Sequence, residues 1–258
     1  MKISLITACY NAERTIGDTL ASVARQKGVA IEYLVMDGGS TDGTLAKIAA
    51  FIAGEARRNP QLEVRWQSER DKGMYDALNK GIARATGDVV GILNADDVLA
   101  DADTLAALAA AFGPGVDAVY ADVRFVRALG GPTVRYCSAR RFRPWMFRFA
   151  VMVPHPSFYC RRELFARYGG YSLDYRICSD FELVMRYMWK YRIRTRYLPR
   201  CVVVMRMGGM STAGIKSNIE INREDLQALR ANGYWSTLPL IYTKYFFKIW
   251  GFVFRSMR

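Results

Sequence analysis

The sequence predicts an α/β fold: a mostly parallel sheet flanked by helices, with an amphipathic helical tail at the carboxyl end. Two observations predict the sheet. Short runs rich in Val, Ile and Leu alternate with segments of helical periodicity through the first hundred residues. Strands of that kind are apolar throughout because helices cover both of their faces. Each run also closes on polar residues, three of the four on acids, and parallel sheets bind ligands beyond the carboxyl ends of their strands. The tail is predicted by apolar and cationic residues at helical spacing.

The first strand is expected over Ile3–Ala8, closing on Thr7-Ala8-Cys9-Tyr10-Asn11. A helix over Arg14–Gln26 leads to a second strand, Ile31–Met36, which closes on Asp37-Gly38-Gly39-Ser40-Thr41-Asp42-Gly43. Asp42 stands where the N-cap of the next helix, Thr44–Ala56, belongs. The third strand, Leu62–Gln67, closes on Ser68-Glu69-Arg70-Asp71-Lys72-Gly73 ahead of a helix over Tyr75–Ala85. The fourth, Val89–Leu93, closes on Asn94-Ala95-Asp96-Asp97. Beyond Asp117 the texture changes. A strand over Val116–Val126 gives way to a Gly130-Gly131-Pro132 turn, a run Thr133–Cys137 and an aromatic, basic stretch Arg140–Arg148. Helices are expected over Arg162–Tyr168 and Ser179–Tyr191, and short strands near Thr195–Leu198 and Val202–Met207.

With 258 residues, 51% of them hydrophobic, the chain has enough material for one large globular domain. Its formal charge of +13 suits nucleic acid, anionic lipid or a phosphorylated substrate. Binding to nucleic acid would explain neither the acids at the strand ends nor the apolar tail, so no nucleic-acid partner is expected. Five scattered cysteines lack CxxC spacing and indicate neither zinc nor a disulfide framework. Their odd number fits a reducing compartment. The amino-terminal apolar run is too short for a signal peptide, and no charge-free apolar stretch reaches the roughly 20 residues of a membrane span. The expected location is the cytoplasm.

The chemistry concentrates at Asp96 and Asp97. Two adjacent carboxylates at the end of a buried strand are costly unless a cation compensates them. A divalent metal does this by bridging carboxylate oxygens to a diphosphate. The same four residues also suit a turn that caps the helix beginning near Ala102. Asp180 and Glu182 lie in the first turn of a predicted helix, where they suit either a general base or the helix dipole. His155, the single histidine, is pinned between Pro154 and Pro156. It suits contact with donor phosphates or acceptor, or a structural place.

Five ordered motifs carry a resemblance: Thr7-Ala-Cys-Tyr-Asn11, Val35-Met-Asp-Gly-Gly-Ser-Thr-Asp-Gly43, Glu69 through Gly81, Asn94-Ala-Asp-Asp97 and Ser179-Asp-Phe-Glu182. Together they resemble the family 2 glycosyltransferases of the GT-A, Rossmann-like fold, which use nucleotide sugars in bacterial surface-polysaccharide synthesis. The resemblance spans residues 2 to about 232. It implies donor-binding roles for Thr7, Tyr10, Asn11, Asp37, Asp71, Asn79, Asp96 and His155. Asp37 would meet the nucleobase, although turn chemistry also suits it. Asp97 would hold Mn²⁺ or Mg²⁺, and Asp180 would be the catalytic base, with Ser179 standing where many relatives carry a further acid. Inversion of the anomeric centre follows from the family. The absence of a Gln-x-x-Arg-Trp motif implies one sugar per encounter.

On this reading residues 1–98 form the nucleotide-sugar half of one domain and 99–207 its acceptor-binding, catalytic half. Residues 208–258 supply a closing loop at Gly208-Gly209-Met210-Ser211 and the tail. In Tyr234–Arg258, Trp235, Leu238, Ile241, Tyr242, Tyr245, Ile249, Trp250 and Val253 recur at helical spacing, punctuated by Lys244, Lys248, Arg255 and Arg258. That pattern suits a helix lying on an anionic membrane surface, where lipid-linked saccharide acceptors reside. A helix packed on the protein's own core has the same pattern. The expected enzyme is peripheral on the inner face of the cytoplasmic membrane. The alternatives are a catalytically inactive nucleotide-sugar binder and a basic nucleic-acid-binding protein.

Overall fold

The structure is a computed structural model that describes the backbone of residues 1–208 and 215–253, and side chains up to Gly208 and from 217 to 245. Gly209–Ser211 of the expected closing loop, and the side chains of Lys248, Ile249, Trp250, Val253, Arg255 and Arg258, lie outside these described residues.

Four strands form a parallel block: β1 (Lys2–Cys9), β2 (Ala30–Asp37), β3 (Leu62–Ser68) and β4 (Val89–Ile92), in the spatial order β3-β2-β1-β4. The chain steps outward from β1 to β3, then returns across β1 to lay β4 on its other side. That reversal leaves a crevice past the carboxyl ends of β1 and β4, the usual place for a ligand in such sheets. Helices α1 (Ile16–Ala24), α2 (Thr44–Ala53) and α3 (Met74–Arg84) make the crossovers.

Alternation along each strand divides the core. Ile3, Leu5, Tyr33 and Val35 face Leu20 and Val23 of α1 and Ile48 of α2. Ile6, Leu34, Met36 and Val90 face Leu78 of α3 on the opposite side. Such period-2 switching is the geometry of a pleated strand buried on both faces. Gly81 lets α3 close onto β1, because a Cβ there would stand 2.6 Å from the Ile6 side chain. Gly91 leaves room for the Tyr159 ring, to which a Cβ would come within 2.0 Å.

Beyond β4 the sheet becomes mixed. β5 (Val98–Leu99), helix α4 (Thr104–Ala111), β6 (Ala118–Val126) and β7 (Thr133–Cys137) are followed by β8 (Tyr159–Arg161). β8 pairs antiparallel with both β4 and β6, so β6 again runs in the direction of β4. The parallel block is thus confined to the first hundred residues. Helices α5 (Glu163–Tyr168) and α6 (Ser179–Met185) come next, α6 continuing as a π-helical stretch, Arg186–Lys190. The two short strands expected near residues 195–207 are one strand, β9 (Thr195–Arg206), whose register against β6 shifts between Tyr120 and Val123. Helices α7 (Ile215–Ala231) and α8 (Leu238–Val253) close the chain. Leu226 and Leu229 of α7 and Ile241 of α8 belong to the same core cluster as α3 and α6.

Candidate active site

The loops after β1 and β2 are stitched into one shelf. Asn11, at φ +47°, donates its backbone N–H to Ser40 Oγ at 2.8 Å and accepts the Thr41 N–H at 2.9 Å. Asp37 Oδ2 accepts from the Gly39 and Ser40 amides and from Ser68 Oγ, at 3.0, 2.9 and 2.6 Å. Its Oδ1 accepts from Ser40 Oγ. Burial would raise this carboxyl, but the Ser40, Ser68 and Gly39 hydrogen bonds more than offset it and hold the group below the usual carboxylate range. Asp37 therefore shapes its own turn. Asp71 lies across that turn, its carboxylate so close to Gly38 that a Cβ there would stand 2.6 Å from Oδ2. Tyr10, 65% exposed, stands at the end of β1 beside Asn11. Tyr10, Asn11, Asp37 and Asp71 are thus brought to one shelf, with the open surface on Tyr10, Asn11 and Asp71.

Asp42 does not cap α2 from the N-cap position, which Gly43 occupies. Its Oδ1 accepts the Thr44 N–H and hydroxyl, while Oδ2 accepts the Glu13 N–H, tying the α1 and α2 approaches together.

The loop after β4 is built differently. Asp97 is 1% exposed, and Asn94 Nδ2 donates to its Oδ2 at 2.9 Å. Burial, and then the charge of Asp96, push its carboxyl up to about 7 against the pull of Asn94 and Arg206. The helix after this motif, α4, begins at Thr104 with Asp103 as its N-cap, so Asn94–Asp97 caps nothing. Thr19 of α1 donates to the Asp97 carbonyl at 2.8 Å, and Arg206 at the end of β9 donates to the Asp96 carbonyl at 3.0 Å. The Arg206 guanidinium also pairs with Asp18.

These residues fit a divalent ion. A buried carboxyl made reluctant to ionise by an adjacent acid is what a cation would relieve. Among the described residues no group of three or more His, Cys, Asp or Glu could enclose a metal. An ion at Asp96 and Asp97 would thus complete its shell with water and phosphate oxygens, as Mg²⁺ commonly does.

Asp180 sits in the first turn of α6, partly exposed, with Oδ1 accepting the Phe181 N–H at 2.7 Å. The helix is capped at Cys178, so Asp180 is not its N-cap. Tyr75 of α3 brings its hydroxyl to 3.5 Å, too long for a strong bond, and donates instead to the Ile177 carbonyl. Burial pushes the Asp180 carboxyl up to about 6, partly opposed by the Phe181 amide and Tyr75. A carboxylate of that basicity can take a proton from a hydroxyl near neutral pH. Since α3 follows the loop that carries Asp71, Tyr75 links that shelf to Asp180.

Three residues expected at the donor have their hydrogen-bonding groups engaged within the fold. Thr7 is fully buried, its hydroxyl donating to the Leu93 carbonyl at 2.7 Å and accepting from Tyr33 at 3.0 Å. Asn79 clamps the backbone of Tyr171 on both sides, at 2.8 Å each way. His155 is buried, its Nε2 2.6 Å from the Tyr171 hydroxyl, and burial lowers it to about 4, so it is neutral at pH 7. Glu182, the lesser candidate for the base, is taken by Arg186 at 2.8 Å and Asn232 at 3.0 Å. Lys244 is no surface cation: it is buried, 2.7 Å from Asp225 of α7.

Two site residues went unassigned in the sequence, Tyr75 and Arg206. Tyr75 lies inside a recognised motif. Arg206 carried one signal, its place at the end of a strand just before Gly208-Gly209.

Comparison with known proteins agrees with this geometry. Residues 4–169 match the model of Glycosyl transferase family 2. A PGL/p-HBAD biosynthesis glycosyltransferase of Mycobacterium bovis is 34% identical over 230 residues, 88% of this chain and 83% of that protein. Among solved structures, TarS of S. aureus in complex with UDP-GlcNAc superposes with a TM-score of 0.66 at 20% identity, covering 89% of this chain. The chain spans just under two thirds of that structure, 66%. A mannosyltransferase from Pyrobaculum calidifontis in complex with GDP-Man and Mn²⁺ gives 0.65 at 22% identity, covering 94% of this chain and 68% of that one. The superpositions establish a GT-A-type fold. The family match over more than half the chain, together with a relative above 30% identity along most of it, makes this protein a family 2 glycosyltransferase.

Proposed function

We propose that the protein moves a single sugar from a nucleoside-diphosphate donor, UDP favoured, to a polyprenyl-diphosphate-linked saccharide, with inversion, in bacterial surface-polysaccharide synthesis. The observation that carries this reading is Asp180. Its carboxylate lies beside α3, is raised to about 6 and, among the described residues, pairs with no cation.

The nucleobase rests on the Tyr10–Asn11–Asp71 shelf, and the diphosphate reaches Asp96 and Asp97. Asp96 and Asp97 would hold Mn²⁺ or Mg²⁺, and a cation there would supply positive charge to offset that of the departing diphosphate. Asp180 takes the proton of the acceptor hydroxyl as that oxygen attacks the anomeric carbon. A single displacement inverts that centre. The P. calidifontis structure contains GDP-Man, so the nucleotide is the part of the proposal most open to revision by experiment.

The membrane contact keeps part of the face that helical periodicity suggested and adds the aromatic, basic stretch Arg140–Arg148. Ile241 and Lys244 of α8 are buried. The outward groups are Trp145, Trp235, Leu238 and Tyr242, set among exposed Arg140, Arg141, Arg143 and Arg148. Ser236 donates to the Arg148 carbonyl at 2.7 Å, and the Arg148 guanidinium lies 5.6 Å over the Trp235 ring, so two distant segments make one patch. Aromatic rings amid arginines match the interface of an anionic leaflet. No described helix is long and apolar enough to cross a membrane.

Thermal shift against UDP, GDP, dTDP and CDP, each with and without Mn²⁺, tests the donor. A native-state ligand at about 100 times its dissociation constant adds about 2.7 kcal/mol. A metal-dependent shift with one nucleotide is expected, and no shift with any would remove the donor site. Sedimentation with phosphatidylglycerol vesicles tests the surface: binding should weaken in Trp145→Ala/Trp235→Ala and with added salt.

A further inference from the structure

Helix α7 reaches the catalytic helix through one carboxylate. Glu224 Oε1 accepts the N–H of Arg176 at 3.0 Å, while Oε2 accepts those of Ile177 and Cys178 at 2.9 and 2.8 Å. These are three consecutive amides, and Cys178 is the N-cap of α6. Amides ahead of a helix have no intrahelical partner, and the positive end of the helix dipole favours an anion there. A side chain 46 to 48 residues away satisfies all three.

The same segment is gripped from other sides. The Cys178 thiol lies 3.5 Å from the Ile221 carbonyl, one turn before Glu224. Ser179 Oγ donates to the Ser172 carbonyl at 2.7 Å. The Tyr75 hydroxyl donates to the Ile177 carbonyl. The residue after Glu224 is Asp225, whose buried ion pair with Lys244 fastens α7 to α8. Rotation of α7 would break that pair and withdraw Glu224 together.

We propose that Glu224 is a positioning residue for catalysis: by gathering the amides of residues 176–178 it sets where α6 presents the Asp180 carboxylate. The carboxyl-terminal helices are then part of the apparatus that aims the base. This rests on the reading of Asp180 as that base. Glu224 also acts on Asp180 through space, as one of several groups facing it. These are the Tyr75 hydroxyl from α3, Tyr171 from the loop after α5, Cys178 ahead of α6, and Glu224 and Asp225 from α7. Lys244 from α8 neutralises Asp225, which leaves Glu224 as the net negative neighbour that makes Asp180 harder to ionise.

Charge and length at position 224 separate the two effects. Turnover is read as release of nucleoside diphosphate from the donor found in the nucleotide panel, with a synthetic polyprenyl-diphosphate-linked sugar as acceptor. Misplacing a catalytic group by about 1 Å costs on the order of a hundredfold, so Glu224→Gln should lower kcat ten- to a hundredfold with donor KM unchanged. Its acid limb should also move to lower pH, because removing the negative neighbour eases ionisation of Asp180. Glu224→Asp keeps the charge but shortens the reach, so kcat should fall while the acid limb stays. Glu220→Gln, an exposed acid one turn away paired with Arg176 at 3.6 Å, should change neither. Nucleotide-induced thermal shift confirms that each variant is folded. Normal kcat and an unmoved limb in folded Glu224→Gln would overturn the positioning role, as would a loss shared equally by kcat and donor binding. Asp180→Asn, run in parallel, keeps the two ideas apart. If it retains turnover the base assignment fails, and if it loses turnover while Glu224→Gln is normal, only the positioning role fails.

Discussion

Asp37 and Asp97 each follow a buried parallel strand, yet their surroundings push them in opposite directions. Asp37 is encircled by its own turn, with amide and hydroxyl donors on both oxygens, and is held below the usual range. Asp97 has one side-chain donor, Asn94, and an acid next to it, and is raised to about 7. The first carboxylate is complete in the protein alone. The second is left short of positive charge. The two strand-end acids therefore differ in kind: one is used up in building the rim, and the other keeps an uncompensated carboxyl. What separates them is the balance of burial and donors: burial raises both carboxyls, and hydrogen bonds outweigh it only at Asp37.

The sharpest way to break the contrast is to neutralise Asp97. Asp97→Asn should reduce sugar transfer by on the order of a thousandfold, because the charge that holds the cation is gone. The ligand-free protein should melt no earlier, since a buried acid without a cation has been replaced by an amide. Retained transfer, or an earlier melt, would place Asp97 with Asp37.

Asp180 stands between the two, raised by burial but with an amide and a distant hydroxyl for company. Asp180→Asn should cost on the order of a hundredfold or more in turnover while nucleotide binding persists. Turnover of the unaltered enzyme should climb with pH and level off above about 6. The sign for stability is the reverse. A carboxyl whose folded value lies above its ordinary 3.8 binds a proton more tightly in the native state, so stability falls as pH rises from about 4 through about 6. Asp180→Asn should therefore melt later than the unaltered protein at pH 8 and at the same temperature below pH 4. A pH-independent difference would leave Asp180 only its local bond to the Phe181 amide in the first turn of α6.

For Asp37 the expectation reverses. Asp37→Asn turns an amide nitrogen toward donors and should destabilise the protein by about 2–3 kcal/mol, read as a lower urea midpoint. Nucleotide affinity should fall as the shelf loosens, without any change in metal dependence. The smallest effect belongs to Thr7. Thr7→Val should cost about 1 kcal/mol through the orphaned Tyr33 hydroxyl and Leu93 carbonyl, leaving turnover intact.

The same division explains what could be read in the sequence. The parallel block was legible because each strand is one short apolar run, and Asp96–Asp97 because two neighbouring acids after such a run need a reason. The structural partners of Thr7, Asn79 and His155 were not legible, because they lie 86, 92 and 16 residues away. A motif gives the loop on which a residue sits, not the direction its side chain takes. Strand β8 has three residues, too few for any period to register. In the tail, spacing correctly gave a helix and an apolar face. It could not say that Ile241 and Lys244 turn inward while Trp235, Leu238 and Tyr242 stay exposed, because a buried Lys244 reads like any other lysine until Asp225 is found opposite.

That ion pair has an evolutionary consequence. Breaking one side of a buried pair strands a charge, at a cost of about 3–5 kcal/mol, whereas replacing both partners with apolar residues of like volume is often neutral or better. Positions 225 and 244 should therefore behave as a single heritable character. Lineages would keep Asp with Lys or exchange both for apolar residues, and chains caught between would be rare.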